Sequence, residues 1–182
     1  MFVSADGWLS VAEQHPSPNF SERPVGESIS LLVIHNISLP PGEFGTGSVK
    51  AFFTNQLNPS HHAYFETIAQ LKVSAHLFIE RTGHIVQFVS FVRRAWHAGV
   101  SSFNGVENCN NYSIGIELEG CDDIAYTDAQ YQALAAITRH LLSIYPKITP
   151  DRIVGHNRIA PGRKTDPGPA FDWPRYLSLL DE

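Results

Sequence analysis

The sequence predicts one mixed α/β domain, a central sheet flanked by helices. Short β-branched apolar runs alternate with stretches of helical period, the pattern of strands covered by helices. One pair of strand-like runs, VSAHLFIERTGHIVQFV (73–89), is parted only by a tight turn at Arg81, Thr82 and Gly83. That hairpin makes two neighbours antiparallel, so the sheet is mixed rather than all parallel. The chain has 182 residues, 43% of them hydrophobic, enough for one core that buries roughly 70% of the unfolded surface. No repeat, low-complexity tract or linker divides it. The domain is expected to span 1–182, with a core from about 28 to 180 and an extended N-terminal segment, 1–27, packed on it.

In chain order, SLLVIHN (30–36) is an apolar β-branched run, the pattern of a strand covered on both faces, and LPPGEFGTGS (39–48) is a long surface loop. SVKAFFTNQL (48–57) suits a helix, the hairpin follows, and YSIGIELEG (112–120) is a further strand. TDAQYQALAAITRHLLSIYP (127–146) carries the strongest helical pattern. Thr127 and Gln130 make a capping box, and Tyr131, Leu134, Ala135, Thr138, Leu141, Leu142 and Tyr145 recur at helical spacing until Pro146. IVGH supplies a last short strand. GHNRIAPGRKTDPGP (155–169) holds three prolines and three glycines, so it reads as a loop ordered by something other than backbone ladders, and a bound metal ion is one such source. FDWPRYLSLL (171–180) closes the chain as a helix with Asp172 as N-cap.

Composition narrows the function. Net charge is −5 and no Lys/Arg cluster occurs, which argues against nucleic acid or an anionic membrane as partner. Two cysteines, Cys109 and Cys121, are too few for a disulfide framework and lack the spacing of a zinc knuckle. The N-terminal MFVSADGWLSVAEQ has neither a basic start nor an apolar run, and no stretch of about 18 apolar residues appears. The expectation is a soluble cytoplasmic monomer. Nine histidines stand against thirteen Lys+Arg, and histidine is both the commonest metal ligand and the side chain that titrates near neutrality.

His35 ends LLVIH, where a side chain sits at the C-terminal edge of a central strand, the usual place for a site in an α/β sheet. His156 follows the short strand IVG, and Asp166 lies ten residues on. Two strand-end histidines and a loop carboxylate have the composition of a three-ligand catalytic zinc site with an open fourth position. A lone histidine ending a strand is more often a hydrogen-bonded core residue, and that reading stands beside the metal one. Glu117 and Glu119 of IELE share one strand face by the two-residue period, and either could be the base for a hydrolytic water. Lys164, two residues before Asp166, is placed to stabilise an oxyanion or is simply a solvated loop lysine. Trp96 and His97 lie in a loop directly after a strand, where a tryptophan stacks on a sugar or anchors the core. No GxSxG elbow, phosphate loop or dinucleotide fingerprint occurs.

The motifs LLVIHNISLPPGEFG, VSAHLFIERTGHIVQFV, RAWHAGVSSFNG, YSIGIELEG, YTDAQYQAL and GRKTDPGPAFDWPRY together resemble the AmpD-type 1,6-anhydro-N-acetylmuramoyl-L-alanine amidases of bacterial cell-wall recycling. The resemblance covers nearly the whole chain. It implies one zinc ion per chain on His35, His156 and Asp166, Glu117 as general base, and Lys164 at the transition state. It implies an anhydromuropeptide as substrate, met by Asn36, Lys72, Trp96, His97 and Ala160. Three positions depart from the family pattern: Lys72 and Asn108 stand where arginine is usual, and Gly162 where glutamate is usual. The first two weaken any bidentate hold on the stem peptide's carboxylates. The rival readings are a non-catalytic muropeptide-binding module, expected to lack part of the ligand set, and a zinc amidase acting on intact wall in the periplasm.

Overall fold

The computed structural model describes residues 1–181. The N-terminal segment holds β1 (Glu13–Gln14) and β2 (Phe20–Glu22), and β3 (Leu31–Ile37) follows. Helices α1 (Ser48–Phe53) and α2 (Ala63–Ile68) precede the hairpin of β4 (Leu77–Ile79) and β5 (Ile85–Gln87). Short strands β6 (Arg93–Ala95), β7 (Ser102–Phe103) and β8 (Val106–Glu107) lead to β9 (Ser113–Glu119). The chain ends with α3 (Asp128–Ile144), β10 (Ile153–Gly155), α4 (His156–Ile159) and α5 (Trp173–Ser178).

Six strands form the central sheet in the order β1, β5, β4, β9, β3, β10. Strands β4, β9, β3 and β10 run parallel, while β5 runs against β4 and carries β1 at the edge. The sheet is therefore mixed, with the antiparallel step where the sequence places the hairpin. Separately, β2 pairs with β6 and β7 with β8. The N-terminal segment is also tied down by Arg23, whose guanidinium donates to the carbonyls of Phe91, Asn110, Asn111 and Ser113.

On one face, here the back, Leu32, Ile34, Leu77, Ile79, Ile114, Ile116 and Leu118 pack against α3 and α5 in a core that includes Tyr131, Leu134, Ile137 and Tyr176. Helix α3 starts on the full capping box expected of Thr127 and Gln130. The Gln130 amide also donates to the carbonyls of Ile79 and Glu119, docking the helix start on β4 and β9. Asp172 caps α5 through the Arg175 N–H at 3.0 Å, and the hydroxyls of Tyr176 and Thr138 meet at 2.7 Å. The front face is covered by two apolar clusters: Phe52, Phe53, Phe65 and Phe78 with neighbours, and Leu31, Val33, Phe103, Tyr112 and Ile159 with theirs.

Two elements differ from the sequence expectation. Helix α1 ends at Phe53 rather than Leu57 because Asn55 adopts a left-handed φ of 60°, which breaks the helical path. The run after Gly155 is not loop throughout: His156–Ile159 forms a single helical turn that stops before Pro161.

Candidate active site

Register brings the site together. In the parallel pair β3 and β9, His35 lies opposite Glu117, and β10 sets Gly155 opposite Ile34, so His156 emerges beside His35. All three sit at the carboxyl ends of their strands, where ligand sites in such sheets occur. Asp166 arrives on the loop after α4. That loop is held by protein groups: the Asn157 N–H donates to the Asp166 carbonyl at 3.0 Å, and the Asn36 amide and Tyr126 hydroxyl donate to the Pro167 carbonyl at 3.1 and 2.7 Å. Asn36 also donates to Asp122, so its amide is committed to the loop.

His35 Nδ1 and His156 Nδ1 are 2.9 Å apart, and Asp166 Oδ2 lies 3.1 and 3.0 Å from them. A tetrahedral zinc ion with ligand bonds of about 2.0–2.1 Å sets its donor atoms about 3.3 Å apart, close to this triangle. Among the described residues this is the one cluster of three such side chains able to hold a metal ion. The donor chemistry fits as well. His156 Nε2 is 3.0 Å from the Ala98 carbonyl, which can only accept, so the ring proton sits there and Nδ1 keeps a lone pair for a cation. Burial and the neighbouring His156 lower the His35 pKa to about 4. Burial alone would raise the Asp166 carboxyl, but the adjoining His156 and His35 imidazoles outweigh it and hold it well below the usual carboxylate range.

The two glutamates of β9 share a face yet differ in partners. Glu119 accepts the N–H of Gly45 at 2.5 Å and of Arg81 at 3.0 Å, tying the 39–48 loop and the hairpin turn to the sheet. Glu117 is 9% exposed, and its buried Oε2 has no hydrogen-bond partner. Burial, reinforced by Asp166 and opposed by Lys164, pushes its carboxyl well above the ordinary 4.5. A buried, unpaired carboxyl of raised pKa beside a cluster able to hold a metal ion is the character of a general acid–base group.

A cleft of about 510 Å³ opens over these residues, lined by Glu117, His156, Lys164 and Asp166 at one end and by apolar groups including Leu39, Tyr64, Leu71 and Trp96. Lys164 is exposed on this wall, and the Trp96 ring nitrogen donates to Ser21 at 3.2 Å. Lys72 is exposed and, like the buried Ala160, is not among the lining residues; nor is Asn108. The Ala160 carbonyl instead accepts the N–H groups of Arg163 and Lys164. Gly162 has φ +77° with nothing near a Cβ, so this loop turns through a conformation that suits glycine and strains other residues.

A model of the N-acetylmuramoyl-L-alanine amidase family matches residues 25–169. The chain belongs to this family. It is 60% identical over 174 residues to the 1,6-anhydro-N-acetylmuramyl-L-alanine amidase AmpD of Salmonella typhimurium strain SL1344, covering 96% of this chain and 92% of that one. It is 57% identical to AmpD of Escherichia coli K12, covering 97% and 96%. Among solved structures, a selenomethionine AmpD crystal structure superposes with a TM-score of 0.96 at 57% identity over 99% of both chains. AmpDh3 of Pseudomonas aeruginosa in complex with anhydromuramic pentapeptide gives 0.67 at 27% identity, covering 98% of this chain and 66% of that one.

Within this amidase, sequence reasoning passed over Asn110, Ser113 and Asp122. Asn110 accepts the N–H groups of His97 and Ala98, and Ser113 lies under the His97 ring. One local signal pointed there: a glycine inside a strand marks a close approach, and a Cβ on Gly115 would stand 2.5 Å from the His97 ring.

Proposed function

We propose that this amidase hydrolyses the amide between the lactyl group of 1,6-anhydro-N-acetylmuramic acid and the L-alanine of its stem peptide, using one zinc ion held by His35, His156 and Asp166. The observation that carries the reading is the unpaired, buried Oε2 of Glu117 beside a complete donor triangle at the end of the cleft. The AmpD names of the full-length relatives, and the anhydromuramic pentapeptide bound by the Pseudomonas aeruginosa enzyme, support the substrate class. Zinc, when bound, supplies Lewis acidity toward the scissile carbonyl and an attacking water.

The protein's own groups do the rest. Glu117 takes a proton as the water oxygen bonds to the carbonyl carbon, and returns it to the alanine nitrogen as the C–N bond breaks. The products are a lactyl carboxylate and a free peptide amine. Lys164 meets the oxygen that gains charge in this step, and Trp96 packs against the sugar from the cleft wall. Lys72 and Ala160 do not line the cleft, so the proposal gives them no contact with the substrate. A complete ligand set favours catalysis over a binding module. The proposal includes a monomer working in the cytoplasm, which sizing and cell fractionation check.

Incubation with anhydromuropeptides and with intact murein, followed by mass spectrometry, tests the reading. Free peptide is expected from anhydromuropeptides, and no release from either substrate rules out the enzyme. Asp166→Ala is expected to lose zinc by elemental analysis and activity with it; full occupancy with full activity would remove Asp166 from the ligand set. Lys164→Met should lower kcat and kcat/KM together by roughly 10² to 10³ at unchanged zinc content, as loss of one oxyanion donor does. A kcat within about threefold of the parent, far less than one such donor is worth, would take Lys164 out of the mechanism.

A further inference from the structure

His97 lines the cleft, yet both its ring nitrogens are engaged inside the protein. Nδ1 lies 2.9 Å from His35 Nε2, and Nε2 lies 2.9 Å from Ser113 Oγ. The ring rests on β9 where Gly115 has no side chain, and Ser113 is fully buried beneath it. The backbone is pinned too, since the N–H groups of His97 and Ala98 both donate to Asn110 Oδ1, at 3.1 and 2.8 Å. The next carbonyl, that of Ala98, receives His156 Nε2. One short segment, clamped by one asparagine, therefore touches the far side of both histidines of the donor triangle.

We propose that His97 is a positioning residue for His35: it accepts the His35 Nε2–H, passes its own Nε2–H to Ser113, and so keeps His35 Nδ1 as a lone pair facing Asp166 and His156. The proposal rests on the zinc reading above. Hydrogen bonding sets the direction. An imidazole can donate or accept, so the His35–His97–Ser113 chain can be filled two ways. With Ser113 donating, His97 Nδ1–H points at His35 Nε2, and the His35 proton moves to Nδ1, where it blocks a cation. With Ser113 accepting, each ring proton shifts to Nε2, no proton is lost, and Nδ1 is free. The Ala98 carbonyl imposes that second arrangement on His156 directly, having no proton to give. The brace for His35 is softer, because its far end is a hydroxyl.

The test measures zinc affinity by chelator competition in the parent, His97→Ala and Ser113→Ala, together with long-range ¹⁵N spectra of the zinc-loaded parent. Loss of an outer partner of a ligating histidine weakens metal binding roughly 10- to 100-fold. That loss is expected for His97→Ala, with a smaller loss in the same direction for the buried Ser113→Ala, whose KM at saturating zinc is unchanged, and with protons on Nε2 of both His35 and His97. Unchanged zinc affinity with a raised KM would make His97 a substrate contact and overturn the proposal. If His97→Ala does not fold, Ser113→Ala decides: it removes one hydroxyl, and parental zinc affinity in that variant overturns the brace. A parent that binds no zinc at all refutes the metal reading itself, whereas tight zinc in parent and both variants refutes only the brace.

Discussion

Strands β3 and β9 build two different surfaces from alternate residues. The back residues Leu32, Ile34, Ile114, Ile116 and Leu118 are at most 1% exposed and wholly apolar, packed under α3. The front residues begin the same way at Leu31 and Val33 but turn polar toward the carboxyl ends, at His35, Glu117 and Glu119. A one-residue slip of register would exchange these sets. It would set His35 and Glu117 against Tyr131 and Leu134, so the back face holds the register that aligns His35 with Glu117. The front is thereby free to keep arrangements that do not stabilise the fold: two imidazole nitrogens 2.9 Å apart and a carboxyl oxygen without a partner. Buried groups of this kind persist where the surrounding structure over-determines them.

Adjacent residues test the contrast, and Glu117→Gln has the largest expected effect. Turnover should fall roughly 10²- to 10⁴-fold, the worth of a proton-transfer group, with zinc retained. Stability should move the other way. The folded-state pKa of Glu117 is raised, so the parent has its full stability below the ordinary 4.5 and loses some as pH rises from there through the raised value, because the unfolded chain ionises first. The glutamine variant has no such loss. In metal-free protein it should match the parent in acid and exceed it at neutral pH, by about 1 kcal/mol or more as for relief of a buried unpaired group. Denaturation curves across pH check this, and parallel profiles for the two proteins would contradict it.

Ile116→Ala, one residue away on the other face, should do the reverse. Truncating a buried isoleucine costs about 2 to 5 kcal/mol, readable as a lower urea midpoint, while the folded fraction keeps its kcat. A large fall in kcat at saturating zinc would show that the faces are not separable, and that the apolar back tunes the site as well as holding it.

What the sequence made legible follows the same divide. Unbroken apolar character showed β3, because a strand covered on both faces buries successive residues, helical spacing showed α3, and the capping box at Thr127 and Gln130 is a local signal that the structure keeps in full. The hairpin was readable for the same reason. Strands β1 and β2 were not, since two or three residues held by backbone bonds to β5 and β6 leave no side-chain pattern. Parallel register is non-local, so the alignment of His35 with Glu117 could be inferred only from resemblance to a family. The two-residue period placed Glu117 and Glu119 together and could say nothing of what each touches. Asn110 and Ser113 act through contacts set by a loop crossing the sheet, which no spacing encodes.

Glu119→Gln should give the smallest effect and completes the comparison along the front face itself. Both Glu119 oxygens accept backbone N–H groups, one from Gly45 in the 39–48 loop and one from Arg81 in the hairpin turn. A glutamine keeps one acceptor and turns an NH₂ toward the other N–H, so one partly buried donor loses its partner at a cost below the roughly 1 to 3 kcal/mol of a fully buried one. Either anchor can fail, with different results. Residues Ser38, Leu39 and Pro41, at the start of that loop, line the cleft, so release at Gly45 loosens a wall and should raise KM a few-fold, while kcat holds because Glu117 and the donor triangle are untouched. Release at Arg81 frees only the hairpin turn and should lower stability with KM unchanged. Steady-state kinetics on zinc-loaded protein, paired with a denaturation curve, separates the two. A fall in kcat as large as that of Glu117→Gln would overturn the assignment of the base and place proton transfer on Glu119 instead.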